Sequence, residues 1–347
     1  MDIHELIRLP DRIWRKLHSQ GLILLYHRVE TLDTDPQLLS VTPEHFAEHL
    51  EYLSEHYNPI SLSELFQALK AGKIPDKSVV ITFDDGYADN LWNAKPLLEK
   101  HGIPATVFVT SGSIGSDREF WWDDLERLLL LPDELPGQLI LNINGEELKW
   151  DLTGALDNRT DGEDDTRLKS WNVTMASNPG PQYAVYRDLH RHLKPLPHEQ
   201  QEYILDSLAQ WVGVSRTGRE THRPLTLNEL RDLDRGGLIE IGAHTTTHSM
   251  LSMQPVDVQK EEIIQGKIAL EKMLGHEVQS FSYPFGGRAD FSMKTVEIVK
   301  EAGINTACVN YGSTLIRNSN PYLLPRALIR NWDIEFFSSQ IMEWFDE

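Results

Sequence analysis

Short, nearly continuous apolar runs alternate with stretches of helical period along most of this chain. That rhythm predicts strands buried on both faces, paired in parallel and joined by helices. The runs fall at 21–29, 79–83, 103–109, 238–242, 279–284, 305–309 and 325–329. Between them, Thr42-Pro43-Glu44 opens a helix with Phe46, Leu50 and Leu53 at helical spacing, threonine capping and proline in the first turn. Further helices are expected from Ser61 to Gly72, over 94–101 with Gly102 as the stop, and over 226–233. Three more are expected at 259–274 ending at Gly275, 292–302 and 334–345. The architecture read from this alternation is α/β.

The rhythm breaks over 120–222. There the pattern predicts an apolar helix over 120–130, a hairpin over 138–152 turning at Asn144-Gly145, a polar loop over 157–169, and helices over 183–192 and 198–212. We read this stretch as an insertion. Residues 2–19 read as an amphipathic helix interrupted by Pro10, with Arg8, Arg12, Arg15 and Lys16 on it. It packs on the domain surface or makes a peripheral membrane contact. The expected division is a helix at 1–20, a main domain at 21–119 and 223–347, and an insertion at 120–222.

Composition narrows the function classes. The formal net charge of −20 argues against nucleic acid and anionic membrane surfaces as general partners. Cys308 is the single cysteine, so no intrachain disulfide forms, and its apolar surroundings make it a core residue. No apolar run reaches membrane-spanning length. Met1-Asp2-Ile3-His4-Glu5 lacks the basic-then-apolar pattern of an export signal, so cytoplasmic residence is expected.

The chemistry starts at Val79-Val80-Ile81-Thr82-Phe83-Asp84-Asp85-Gly86-Tyr87, a buried strand that delivers two carboxylates to a turn. Adjacent aspartates at a strand end are costly unless a cation neutralises one and the other handles protons. Gly242-Ala243-His244-Thr245-Thr246-Thr247-His248 follows another strand end, and its histidines share one face if the turn is helical. Either motif alone is more often a plain turn or an incidental pair. Together, each at a strand end, they point to one ion. Two imidazoles and a carboxylate suit Zn²⁺, with Co²⁺ or Ni²⁺ as alternatives, and leave positions open for water and a carbonyl. The reaction class is metal-assisted hydrolysis of an acyl bond.

These two motifs resemble the first two motifs of polysaccharide deacetylases, the NodB-homology or carbohydrate esterase family 4 group. The resemblance covers roughly 20–115 and 225–330. It implies a distorted (β/α) barrel that removes N-acetyl groups from amino sugars with a divalent metal. By the family pattern Asp84 is the general base, and Asp85, His244 and His248 bind the metal. Ser282-Tyr283-Pro284-Phe285-Gly286 resembles the third motif, with Ser282 where the family has arginine. Phe285 is then the candidate backbone oxyanion donor. Arg326 either supplies the guanidinium from elsewhere or is purely structural.

The family's last motif, Leu-x-His, is absent after His276, but Leu25-Tyr26-His27 has that spacing near the other end of the sequence. A circular permutation, as in some similar deacetylases, makes His27 the general acid. A buried structural histidine is the alternative. The expected substrate is an N-acetylated saccharide, or a glycan precursor before export. Two competing readings stand: a deformylase or amidohydrolase acting on other C–N bonds, and a saccharide-binding module without catalysis. Tyr87, Trp121 and Trp122 fit either sugar stacking or core packing.

Overall fold

The computed structural model describes residues 21–154, 168–312, 315–316 and 318–346. The helix expected over 2–19 and most of the loop expected over 157–169 lie outside them. The described chain divides into two compact units. The first comprises 21–31, 40–114 and 225–346, and the second 32–39 and 115–224.

The first unit is built on one parallel sheet. Its strands are β1 (Gly21–Tyr26), β2 (Ser78–Phe83), β3 (Ala105–Val109), β4 (Ile239–Ala243), β5 (Ser280–Ser282), β6 (Thr306–Val309), β7 (Leu324–Pro325) and β8 (Ala327–Leu328). β1 to β7 lie in sequence order across the sheet, β8 lies on the other side of β1, and a ninth short strand, Asn58–Pro59, pairs with β2. The expected strand over 325–329 is split at Arg326. Its first half pairs with β6 and its second half with β1, so opposite edges meet and the sheet closes as a barrel.

Side chains on each strand alternate between two apolar clusters, as the pleat requires. Leu22, Leu24, Tyr26, Val79, Ile81, Phe83, Val107 and Ile241 join the cluster shared with the surrounding helices. Ile23, Val80, Phe108, Cys308 and Leu324 face the axis, where Leu62, Leu65 and Leu69 of one helix pack among them. Cys308 is fully buried, and burial pushes its thiol up to about 12. It is a core residue.

Local signals set the helices. Thr42 Oγ1 accepts from His45 N at 3.3 Å and caps α1 (Pro43–His56), a bond worth about 1 kcal/mol. Ser61 and Glu64 form a reciprocal capping box on α2 (Leu62–Lys70). Two helices differ from the sequence expectation. The one expected from 94 begins as a π-turn at Asn90–Ala94 before Lys95–His101. The one expected over 259–274 runs as Val256–Lys260, a π-turn at Glu261–Gln265, and Gly266–Leu274. A single wider turn leaves little mark on a pattern of helical period, which is why the sequence does not show it.

The second unit holds the expected hairpin, Gln138–Ile143 with Glu146–Asp151. Asn144 and Gly145 both take positive φ at its turn. Its helices are Trp121–Leu129, Pro181–Leu193 and His198–Val212. Trp121 and Trp122 are buried, with Trp122 stacked on Phe120 at 5.0 Å, so these rings pack the interior instead of offering a sugar platform.

Candidate active site

The inward face of the barrel, followed past the strand ends, assembles the site. On β2 the inward series is Val80, Thr82, then Asp84. On β1 it is Ile23, Leu25, then His27, and Leu25 lies opposite Thr82 in the register. Asp84 N donates to Tyr26 O at 3.1 Å, which carries that pairing one step further. On β4 the series runs Gly242, then His244. Gly242 has no room for a Cβ, which would lie 2.3 Å from Phe108 Cδ1. On β5, β6 and β7 it runs to Ser282, Asn310 and Arg326. All strands being parallel, these ends open onto one mouth, where active sites of such barrels gather.

Asp84 and Asp85 then part company. Asp85 and Gly86 both take left-handed backbone, φ 76° and 89°, which turns the chain sharply after the strand. Asp85 Oδ1 ends 3.5 Å from His244 Nε2 and 3.3 Å from His248 Nε2. These three ligand atoms lie within 4.8 Å of one another, all buried. The His244–His248 turn is not helical, so the helical condition for a shared face is not met. Thr245 and His248 carry positive φ, 64° and 60°, and the turn itself brings the rings together, their centroids 4.8 Å apart.

The residues present fit a divalent ion. Asp85 Oδ1 and His244 Nε2 are buried and make no hydrogen bond, though they face each other closely. A cation between them would satisfy both. His244 Nδ1 lies 2.8 Å from Ser282 O, which fixes that nitrogen as the N–H donor and leaves the Nε2 lone pair for a ligand bond. Burial raises the cost of charging Asp85, but both imidazoles outweigh it and hold the carboxyl well below the usual range.

Asp84 faces a different set of groups. Arg326 Nη1 donates to Asp84 Oδ1 at 2.7 Å and Nη2 donates to Oδ2 at 2.6 Å, a two-pronged clamp. Ser282 Oγ donates to Asp84 Oδ2 at 3.1 Å and accepts from Arg326 Nη2 at 2.7 Å. The guanidinium on Asp84 thus comes from Arg326, beside the small Ser282. Burial opposes ionisation of Asp84, yet Arg326, His244 and His27 together hold its carboxyl below the usual range.

His27 stands at the same mouth. Burial lowers its pKa, while Asp85 and Asp84 pull the other way. Its backbone carbonyl accepts from Asn90 Nδ2 at 2.9 Å, in the π-turn that opens the helix after β2. Phe285 takes φ 60°, and its ring meets His248 edge-on at 4.7 Å. Its carbonyl accepts from Asn310 Nδ2 at 2.9 Å, and Asn310 Oδ1 accepts from Arg326 at 2.6 Å. A chain of bonds thus runs from Asp84 through Arg326 and Asn310 to the Phe285 turn. Asn310 escaped the sequence reading. Its signal was the inward parity of Cys308, two residues before it. Tyr87 is buried beneath Arg28, whose guanidinium sits 4.4 Å over the ring, and is closed to a sugar.

A second acidic and histidine group, Asp123, Glu126 and His222, lies within the second unit. There Arg219 already donates to Glu126 Oε2 at 2.9 Å and to Glu119 Oε2 at 2.7 Å, so a guanidinium supplies the positive charge.

Barrel and site together define an α/β barrel whose strand ends carry a metal-type ligand set. The polysaccharide deacetylase family model matches residues 71–133 and 209–307. Over those residues, a little under half of its length, the chain is similar to that family. It is 38% identical over 95 residues to the putative polysaccharide deacetylase YxkH of Bacillus subtilis, covering 27% of this chain and 33% of that one. It is 33% identical over 107 residues to the poly-β-1,6-N-acetyl-D-glucosamine N-deacetylase of Escherichia coli K12, 30% of this chain and 16% of that one. The match therefore spans a third or less of the length of either relative. Among solved structures, Streptococcus pyogenes deacetylase PplD in complex with acetate superposes with a TM-score of 0.57 at 18% identity. That match covers 93% of this chain and 99% of that one. IcaB from Ammonifex degensii superposes with a TM-score of 0.57 at 16% identity, covering 95% and 98%. At these identities the likeness is one of fold.

Proposed function

We propose that this chain is a metal-dependent N-deacetylase acting on the N-acetylated amino sugars of a polysaccharide or its precursor. The observation that carries the reading is the split fate of the aspartate pair. Asp85 joins His244 and His248, while Asp84 is held off that group by Arg326. The names of the relatives, poly-β-1,6-N-acetyl-D-glucosamine N-deacetylases among them, support the substrate class.

Asp85, His244 and His248 would hold a divalent ion (Zn²⁺ by the donor set, Co²⁺ and Ni²⁺ being alternatives), which would supply Lewis acidity at the mouth. Asp84 is anionic at neutral pH and accepts a proton from the attacking water. As the new C–O bond forms, the Phe285 N–H donates to the carbonyl oxygen on which charge develops. His27 passes its proton to the amide nitrogen, the C–N bond breaks, and acetate and a free amine leave. Burial outweighs the pull of Asp85 and Asp84 and lowers the pKa of His27, which weakens the imidazolium's hold on the proton it passes on.

The test is an acetate-release screen with Zn²⁺, Co²⁺ and Ni²⁺ on β-1,6-linked N-acetylglucosamine oligomers, chitooligosaccharides and acetylated sugar nucleotides, with Asp84→Asn as the blank. Acetate from at least one class is expected. His27→Ala should lower turnover about 10²- to 10⁴-fold with metal content unchanged. Stoichiometric metal without acetate would contradict the reading. Loss of metal in His27→Ala would make that residue a ligand.

A further inference from the structure

The turn between His244 and His248 carries strain at both ends and belongs to no regular element. Thr245, a β-branched residue, sits at φ 64° and His248 at φ 60°, conformations that persist only where the surroundings impose them. A residue outside both the ligand set and the base grips the turn between them. Glu262 is 8% exposed and falls inside the π-turn Glu261–Gln265. Its Oε2 accepts from the backbone N–H groups of Thr246 at 3.0 Å and Thr247 at 2.9 Å, and its Oε1 accepts from Thr247 Oγ1 at 2.6 Å.

The opposite side of the turn is gripped as well. Ser111 N donates to Thr245 O at 3.1 Å and Gly112 N donates to Thr246 O at 2.8 Å. Two glycines permit this closeness. A Cβ on Gly112 would lie 2.6 Å from Thr246 O, and one on Gly266 would lie 2.8 Å from the carbonyl carbon of Thr245. The turn is thus clamped between backbone donors on one side and a single carboxylate on the other. Within the turn, Thr245 Oγ1 also accepts from His248 N at 3.0 Å; the Glu262 carboxylate is the side chain that grips it from outside.

We propose that Glu262 is a positioning residue for the metal centre. By fixing the amides of Thr246 and Thr247 it aims His244 and His248 at one ion, and it thereby sets metal affinity. The inference rests on the reading of Asp85, His244 and His248 as ligands. Groups that orient ligands from outside the coordination sphere typically change metal affinity 10- to 100-fold when removed.

The experiment measures Zn²⁺ affinity by competition with a chromophoric chelator, together with the visible spectrum of the Co²⁺-loaded protein. It compares wild type, Glu262→Ala and Glu262→Gln, with far-ultraviolet circular dichroism as the control for folding. Glu262→Ala is expected to bind about 10- to 100-fold more weakly and to alter the Co²⁺ bands. Glu262→Gln keeps an oxygen for the two amides and should recover most of the affinity. If Glu262→Ala does not fold, Glu262→Asp replaces it, since its shorter side chain keeps the charge but cannot span both amides. Unchanged affinity and spectrum in a folded Ala or Asp variant would overturn the proposal, as would a Gln variant no better than Ala. A wild-type protein that binds no divalent ion would instead overturn the ligand reading beneath it.

Discussion

Asp84 and Asp85 share a peptide bond and leave it into different chemistry. The left-handed backbone at Asp85 swings its carboxylate toward two imidazoles, while Asp84 continues the inward parity of its strand and meets Arg326. Both carboxylates are buried, so each needs its own positive partner. Arg326→Ala removes one of them. It should lower stability by roughly 3–5 kcal/mol through an uncompensated buried charge, and cut acetate release while the Asp85 group still binds metal. Urea denaturation and metal analysis of the one variant check both halves; normal activity would show that Asp84 needs no clamp. The aspartates and histidines were legible as residue types at strand ends. The partnership of Arg326 with Asp84 was not, because 242 residues separate the two and only barrel closure brings them together. Glu262 gave no signal at all, since a glutamate at helical spacing reads as a solvated face.

At the scale of elements, barrel closure joins α1 to the helix Ile334–Asp346, far along the chain. His49 of α1 stacks on Phe337 at 3.8 Å, and its ring lies 2.9 Å from Trp332 O and 3.3 Å from the Tyr26 hydroxyl. Burial lowers its pKa from 6.5 to about 4. The unfolded chain therefore binds a proton between those values that the folded chain refuses. Stability is full above pH 6.5 and falls as pH drops toward 4, by up to about 3 kcal/mol at roughly 1.4 kcal/mol per unit. Urea midpoints across that range should show the slope in wild type and a flatter profile in His49→Gln. Equal slopes would assign the titration elsewhere. The elements themselves were largely readable: caps at Thr42 and Ser61, stops at Gly102 and Gly275, and the Asn144-Gly145 hairpin all fall where the residues put them. The misses are the two π-turns and the break at Arg326, each a local departure imposed by tertiary contacts.

For the whole molecule, closure is the decisive event. It sets β1 beside β8, so His27, from early in the sequence, comes to the same mouth as Asp84, Asp85 and His244. Parity then does the sorting: the inward series from Ile23 to His27 and from Val80 to Asp84 each end in a titratable group at the mouth. The second unit interrupts the barrel sequence between β3 and β4 without breaking their pairing. Its short partner segment at 32–39 carries no sequence mark, because nothing in those residues announces that they leave the barrel. We propose that one ion, held by Asp85, His244 and His248, makes this barrel a deacetylase. The direct measurement is acetate release from N-acetylglucosamine oligomers by chelator-stripped protein as Zn²⁺, Co²⁺ or Ni²⁺ is titrated back. The account predicts no release without metal and recovery that saturates at one ion per chain. Release that persists in the stripped protein, or full metal occupancy with no acetate, would contradict it.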